Sequence, residues 1–149
     1  MSEFSSHPVL INVFGVSSIG KSSTLAALFQ LVKQSPTFQQ IDYNQFNSTD
    51  FSVIFNYKGK RIGIITMGDS GCEDEVQNFL DECKSNFCTR IFTASRTRGE
   101  IFGEVINFAN TNGYIFIETS PLYMRFPNGY NGDFKFMHEA FAELLEKLI

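Results

Sequence analysis

Residues 15–22 read Gly15-Val16-Ser17-Ser18-Ile19-Gly20-Lys21-Ser22. They fit the pattern G-x-x-x-x-G-K-[ST]. The run Val9 to Val16 before them is apolar and rich in strand formers, which is typical of a buried parallel strand. From Lys21 onward, apolar residues recur at the spacing of a helix and include Leu25, Leu28, Phe29 and Val32. The sequence therefore predicts a strand, a tight loop and a helix in direct succession.

This junction has the chemistry of a loop that binds phosphate. Backbone N–H groups at a helix N-terminus point outward, and the helix dipole favours an anion there. Small residues let such a loop wrap a β-phosphate, while Lys21 reaches the β- and γ-phosphates and the Ser22 hydroxyl ligates Mg²⁺. The predicted phosphate-binding residues are Gly15, Ser17, Ser18, Ile19, Gly20, Lys21, Ser22 and Ser23. The alternative is a strand-turn-helix junction without a ligand, which the motif and its context together disfavour.

Further strands and helices alternate along the rest of the chain. Lys58-Gly59 predicts a tight turn, so the strands on either side of it must be antiparallel. Residues Thr37 to Thr49 are polar and predict a long surface loop. We expect one domain over residues 1–149, an α/β fold with three α/β/α layers and a mainly parallel five-stranded sheet containing one antiparallel hairpin. The other predicted strands are 51–57, 60–67, 89–94 and 114–117, and the predicted helices are 73–85, 100–110 and a closing helix from Phe136.

Composition restricts the class of protein. The net charge is −4 and Lys and Arg are not clustered, so a nucleic-acid partner is not expected. Three cysteines without a CxxC spacing and two separated histidines do not suggest a structural metal site. No apolar run reaches the roughly 18 residues that a membrane helix needs. The polar segment Met1 to His7 lacks the core of a signal peptide, so the expected location is the cytoplasm.

On these residues the chain resembles the P-loop, or Walker-motif, NTPase superfamily. The specific match covers Val9 to about Gln30, and the alternation of strands and helices extends it loosely over the chain. The resemblance implies the P-loop NTPase fold, a bound nucleoside triphosphate and Mg²⁺. It also implies an acidic residue after a strand next to the P-loop strand, which holds the metal through water. Asp69, just beyond the strand that ends at Met67, is the candidate; the alternative is an aspartate that only begins a turn.

Part of the chain is also similar to Ras-like GTPases. A hairpin is expected, Thr49 precedes its first strand, and Asp69-Ser70-Gly71 follows its second strand but is one residue short of the DxxG pattern. The NKxD motif that reads guanine does not occur in the sequence. ATP is therefore the expected nucleotide and GTP the alternative.

Two arginines, Arg96 and Arg98, follow the strand predicted at 89–94. Ligands of open parallel sheets bind outside the carboxyl ends of the strands, where these arginines are expected to lie. There they could stabilise charge on a transferring phosphoryl group, or bind the phosphate of an acceptor nucleotide. The alternative is a solvated loop, or surface ion pairs with Glu100 or Glu104.

Three functions follow from these features. The first is a Mg-dependent ATPase in which Lys21, Asp69, Arg96 and Arg98 serve the reaction, with Ser22 and Asp69 holding the metal. The second is a kinase that transfers the γ-phosphoryl group to a small acceptor such as a nucleotide. The third is a nucleotide-dependent switch that binds a protein partner through the segment 37–49.

Overall fold

The structure is a computed structural model that describes residues 7–15, 21–69, 71–96, 99–121 and 135–149. These residues form six strands and four helices. In chain order the elements are β1 (Val9–Phe14), α1 (Lys21–Lys33), β2 (Gln39–Gln45), β3 (Phe51–Tyr57), β4 (Lys60–Ile65), α2 (Glu73–Ser85), β5 (Arg90–Ser95), α3 (Glu100–Asn112), β6 (Ile115–Thr119) and α4 (Lys135–Glu146).

All six strands belong to one mixed sheet in the order β2-β3-β4-β5-β1-β6. β1 pairs in parallel with both β5 and β6, and β4 pairs in parallel with β5. β3 is antiparallel to β4, which confirms the predicted hairpin, and Gly59 has the expected positive φ of 77° in its turn. Since β2 is also antiparallel to β3, the prediction of five strands with a single antiparallel pairing is wrong.

Helices cover both faces of the sheet. α1 and α4 pack on one face through Leu25, Leu28 and Phe141, while α2 and α3 pack on the other through Leu80 and Val105. β1 is buried on both faces because its successive side chains alternate between the two layers. The α/β class and the layered arrangement expected from the sequence are therefore confirmed.

β2 lies where the sequence predicts a surface loop. Its residues, Gln39–Gln45, are mostly exposed, and glutamine, asparagine and aspartate are poor strand formers. Ile41 and Tyr43 carry a weak alternation, and the Tyr43 ring stacks on Phe51 with 5.6 Å between centroids. An edge strand needs a partner along one side, and here pairing with β3 supplies it. Tertiary pairing thus overrides the local propensity of this segment.

The connectivity creates a crevice beside β1. The helix after β1 lies on one face of the sheet, and the helix after the neighbouring strand β5 lies on the opposite face. Such a switch point separates the loops that leave two adjacent parallel strands and is where open α/β sheets bind ligands. Asn12 fixes the two strands against each other, since it donates to Ser95 Oγ at 2.8 Å and accepts from Thr93 Oγ1 at 2.8 Å.

Candidate functional site

The two ends of the predicted phosphate loop are held close together. Gly15, which follows β1, has φ of 149°, a value that favours glycine, and its N–H donates to the carbonyl oxygen of Ser95 at 3.1 Å. Lys21 begins α1 and is only 7% exposed; its Nζ donates to the carbonyl oxygen of Gly15 at 2.7 Å. The lysine therefore folds back over the base of the loop.

Several predicted loop residues are outside the part of the chain that the structure describes. They are Ser17, Ser18, Ile19 and Gly20. Ser22 and Ser23 lie in the first turn of α1, where Ser22 is half-buried and Ser23 is exposed. The described flanks thus have a strand before the motif and a helix that begins at Lys21, as the motif requires.

Lys21 belongs to a group of three charged side chains. Burial lowers the pKa of its ammonium, the carboxylate of Asp69 acts in the opposite direction, and the guanidinium of Arg96 lowers the pKa further. Three segments that are far apart in sequence therefore place their charges near one another. They meet where the parallel strands have their carboxyl ends, which we call the carboxyl edge of the sheet. The buried cation lacks the hydration that would offset its charge, so it favours an anionic ligand.

Asp69 and Arg96 face each other at this edge. Arg96 Nε lies 3.8 Å from Asp69 Oδ1, and the two side chains are 51% and 63% exposed. An exposed pair of this kind adds little to the stability of the fold. Arg96 directly follows the parallel strand β5, as predicted. The alternative from the sequence was an ion pair with Glu100 or Glu104, and the structure shows one with Asp69. The second predicted arginine, Arg98, lies outside the described residues.

β4, the strand that precedes Asp69, is not adjacent to β1, so the expectation that this strand lies next to the P-loop strand is wrong. β5 is inserted between β1 and β4, which sets the two strands about 10 Å apart. The sequence gives no signal of this order, because a crossover can place its strand at either side of β1. Asp69 nevertheless remains close enough to act on the pKa of Lys21.

A carboxylate that sequence reasoning missed contacts the loop serine. Ser22 Oγ donates to Asp50 Oδ1 at 3.3 Å and to the carbonyl oxygen of Thr66 at 3.1 Å. Thr66 Oγ1 also donates to Asp50 Oδ1, at 3.0 Å. Thr49, the residue suggested by the Ras-like similarity, is exposed and instead bonds through both its N–H and its hydroxyl to Asn47 Oδ1.

Strand direction explains the position of Asp50. Since β3 runs antiparallel to β4, the start of β3 lies at the edge where β4 ends, and Ser52 pairs with Ile65. Asp50 therefore reaches the carboxyl edge from the amino end of a strand. Asp50 contacts Ser22 because the hairpin and α1 both reach this end of the sheet. No local sequence motif predicts that contact.

Gly68 brings the segment after β4 close to β5. A Cβ atom at this position would lie 2.4 Å from the carbonyl oxygen of Ala94 and 2.9 Å from its Cβ. The φ of Gly68 is not in the left-handed region, so glycine is required here for space and not for its backbone conformation. The close approach holds Asp69 beside the residues that follow β5.

A cavity of about 300 Å³ opens beside the Asp69–Arg96 pair. Its lining includes Gly68, Arg96, Gly99, Glu100 and Phe102. The cavity lies on the α3 side of the crevice, next to the predicted arginine. It is large enough for a small polar group.

The oxygen atoms around Ser22 suit a magnesium ion. Within the described ranges, no three His, Cys, Asp or Glu side chains form a metal-binding group. Mg²⁺ in nucleotide sites, however, is held by one or two protein oxygens together with phosphates and waters. Ser22 Oγ with a carboxylate oxygen and a hydroxyl around it is such a donor set.

Comparisons of this chain with protein-family models, with curated proteins and with solved structures gave no significant match. None of the helices in the described residues is both long and apolar enough to cross a membrane. The function is therefore inferred from the geometry of the site.

Proposed function

We propose that this chain has the P-loop NTPase fold and is a cytoplasmic domain that binds and hydrolyses Mg-ATP. The observation that carries the proposal is the position of Lys21. Lys21 is the lysine of the G-x-x-x-x-G-K-S motif and begins α1, and its buried ammonium bonds to Gly15 at the switch point between β1 and β5. A buried cation next to outward-pointing helix N–H groups is suited to a triphosphate.

Each residue has a distinct task in this proposal. The backbone of residues 15–23 cradles the phosphates, and Lys21 exchanges its bond to Gly15 for contacts with the β- and γ-phosphates. Ser22, with Asp69, would hold the magnesium ion, which would supply positive charge to offset the negative charge that develops on the phosphates. Arg96 and Arg98 would stabilise the charge on the γ-phosphoryl group as water attacks its phosphorus and its bond to the β-phosphate oxygen breaks, which releases ADP.

ATP is favoured over GTP because the sequence has no NKxD motif. The test is to incubate the purified protein with Mg-ATP and with Mg-GTP and to quantify the diphosphate and inorganic phosphate released. We expect slow release from ATP, abolished in Lys21→Ala. Equal release by Lys21→Ala would show that the activity comes from another site or a contaminant.

A kinase is the second candidate, and the cavity beside Arg96 is the observation that favours it. An acceptor phosphate held by Arg96 would lie near the γ-phosphate. Addition of nucleoside monophosphates to the same assay distinguishes the two reactions. A kinase forms ADP and a phosphorylated acceptor in equal amounts, whereas an ATPase forms ADP and inorganic phosphate whatever monophosphate is present.

A switch module is the third candidate. The segment 37–49 carries β2 at the sheet edge, and Asp50, directly after it, touches Ser22. A ligand at Ser22 would therefore act on the end of this segment, which is the proposed contact for a protein partner. Nucleotide that stays bound through purification with negligible turnover would favour this function over hydrolysis.

A further inference from the structure

We propose that Asp50, in addition to or in place of Asp69, is the carboxylate that holds the magnesium ion beside Ser22. The inference rests on the proposed function, since it concerns the metal of the bound nucleotide. It assigns a role to a residue that precedes an antiparallel strand and that no motif in the sequence marks.

The contacts of Asp50 give its carboxylate a fixed orientation. Oδ1 accepts from Ser22 Oγ at 3.3 Å and from Thr66 Oγ1 at 3.0 Å, and Oδ2 accepts from Asn47 Nδ2 at 3.1 Å. Its own N–H donates to Asn47 Oδ1 at 2.8 Å. Both oxygens are thus positioned by neighbours, and one of them already lies beside the hydroxyl that the motif assigns to the metal.

Asp69 is in a different position. Its side chain is 63% exposed and lies 3.8 Å from the guanidinium of Arg96. Asp50 is half-buried and in hydrogen-bond contact with Ser22. Burial raises the pKa of the Cys72 thiol, and the charges of Glu75, Asp69, Asp50 and Glu73 raise it further, so both aspartates lie near this thiol. Of the two, Asp50 is the one that the structure joins to the loop serine.

Thr66, the residue directly after β4, supports this arrangement. Its hydroxyl bridges Asp50 Oδ1 and the N–H of Phe51, and its carbonyl oxygen accepts from Ser22. Three oxygen-bearing groups from α1, the start of β3 and the end of β4 therefore converge. Mg²⁺ is a hard cation that prefers oxygen ligands and retains several of its water molecules. These waters can donate hydrogen bonds to a carboxylate such as that of Asp50.

The experiment measures the affinity for ATP by calorimetry, once with Mg²⁺ and once with excess EDTA. The ratio of the two affinities reports the coupling between metal and nucleotide without any need for turnover. Asp50→Asn is compared with Asp69→Asn and with Asp81→Asn. Asp81 is an exposed residue of α2, so its substitution removes the same charge far from the proposed metal site. Circular dichroism during urea unfolding verifies that each variant is folded.

We expect Asp50→Asn to reduce the coupling by about tenfold or more. Affinity in EDTA should stay equal or rise in this variant, because a negative charge near the phosphates has been removed. Asp81→Asn should match the parent in both conditions. A purely structural role for Asp50 would instead weaken binding equally in Mg²⁺ and in EDTA.

Two results would overturn the inference while leaving the proposed function intact. They are loss of coupling in Asp69→Asn with normal coupling in Asp50→Asn, and an equal loss in both conditions in Asp50→Asn. A parent protein whose ATP affinity does not depend on Mg²⁺ would overturn both this inference and the metal site of the proposed function. A parent that binds no ATP in either condition would overturn the proposed function and this inference together.

Discussion

The ammonium of Lys21 donates a 2.7 Å hydrogen bond to the carbonyl oxygen of Gly15, so one side chain links the two ends of the predicted phosphate loop. A triphosphate that lies on this loop must compete with the carbonyl for the same ammonium. Charge-assisted bonds to phosphate are stronger than a bond to a neutral carbonyl, so the exchange favours the ligand.

Removal of this ammonium tests the site assignment. Lys21→Ala should weaken binding of Mg-ATP by at least about tenfold, since charged hydrogen bonds contribute about 1.5–3 kcal/mol. Calorimetric titration measures the change. Lys33→Ala, which removes an exposed lysine in the last turn of the same helix, is the matched control and should bind as the parent does. Parent-like affinity in Lys21→Ala would place the nucleotide elsewhere.

The pKa of Lys21 predicts a pH dependence of binding. Burial lowers this pKa below its usual value of 10.5 in the free protein, and negatively charged phosphates beside it should raise it again in the complex. Binding should then take up protons at alkaline pH. Affinity should fall as the pH rises through the free-protein pKa toward 10.5, because the free protein has by then lost the proton that the complex retains.

Titrations in two buffers of different ionisation enthalpy measure this proton uptake directly. The uptake should disappear in Lys21→Ala. Proton release at alkaline pH, or equal uptake in the variant, would contradict a direct contact between this ammonium and the phosphates.

Arg96 should act on the reaction more than on binding. Arg96→Ala should lower kcat for ATP hydrolysis by at least about tenfold with a smaller change in KM, because charge stabilisation matters most in the transition state. Lys84→Ala on the exposed surface of α2 removes the same charge and should leave kcat unchanged. Steady-state assays of phosphate release compare them. A variant that loses affinity but keeps kcat would make Arg96 a binding residue.

Gly68 should tolerate no side chain. Gly68→Ala would place a Cβ 2.4 Å from the carbonyl oxygen of Ala94, and overpacking of this kind costs about 1–3 kcal/mol in the free energy of unfolding. The segment that carries Asp69 should also shift away from Arg96, with loss of activity. Urea unfolding and the phosphate assay measure both effects.

Gly103→Ala is the matched control for this change. Gly103 lies inside α3, and a Cβ there would meet nothing within 4 Å. Alanine should raise the free energy of unfolding by about 0.5–1 kcal/mol through helix propensity. Destabilisation by both substitutions would show that the crowding at Gly68 is not the cause.

The sequence predicted much of the local structure. Strongly periodic segments carried clear signals: the structure has α1 from Lys21, β3 at Phe51–Tyr57 and α2 at Glu73–Ser85 as expected. Lys21, Asp69 and Arg96 are all candidates that the sequence predicts, and the structure places them near one another. Lys21 begins α1 and Arg96 directly follows β5, so the motif and the end of a predicted strand are enough to locate these two residues.

Strand order and strand pairing were harder to predict. β2 lacks the composition of a strand and forms through its pairing with β3. The insertion of β5 between β1 and β4 depends on the crossover that α2 makes, which local sequence does not encode. Asp50 was missed for the same reason, since its contact with Ser22 joins two segments only through the antiparallel hairpin.

Calorimetric titration of nucleotide-free protein with Mg-ATP, and in parallel with Mg-GTP, measures whether this chain binds a triphosphate and which base it prefers. The proposed site predicts saturable binding of one triphosphate per chain, with ATP bound more tightly than GTP. Tighter binding of GTP would keep the phosphate site and reverse the assignment of the base. Binding of neither nucleotide, in protein shown to be folded and free of co-purified nucleotide, would contradict the claim that this loop holds a triphosphate.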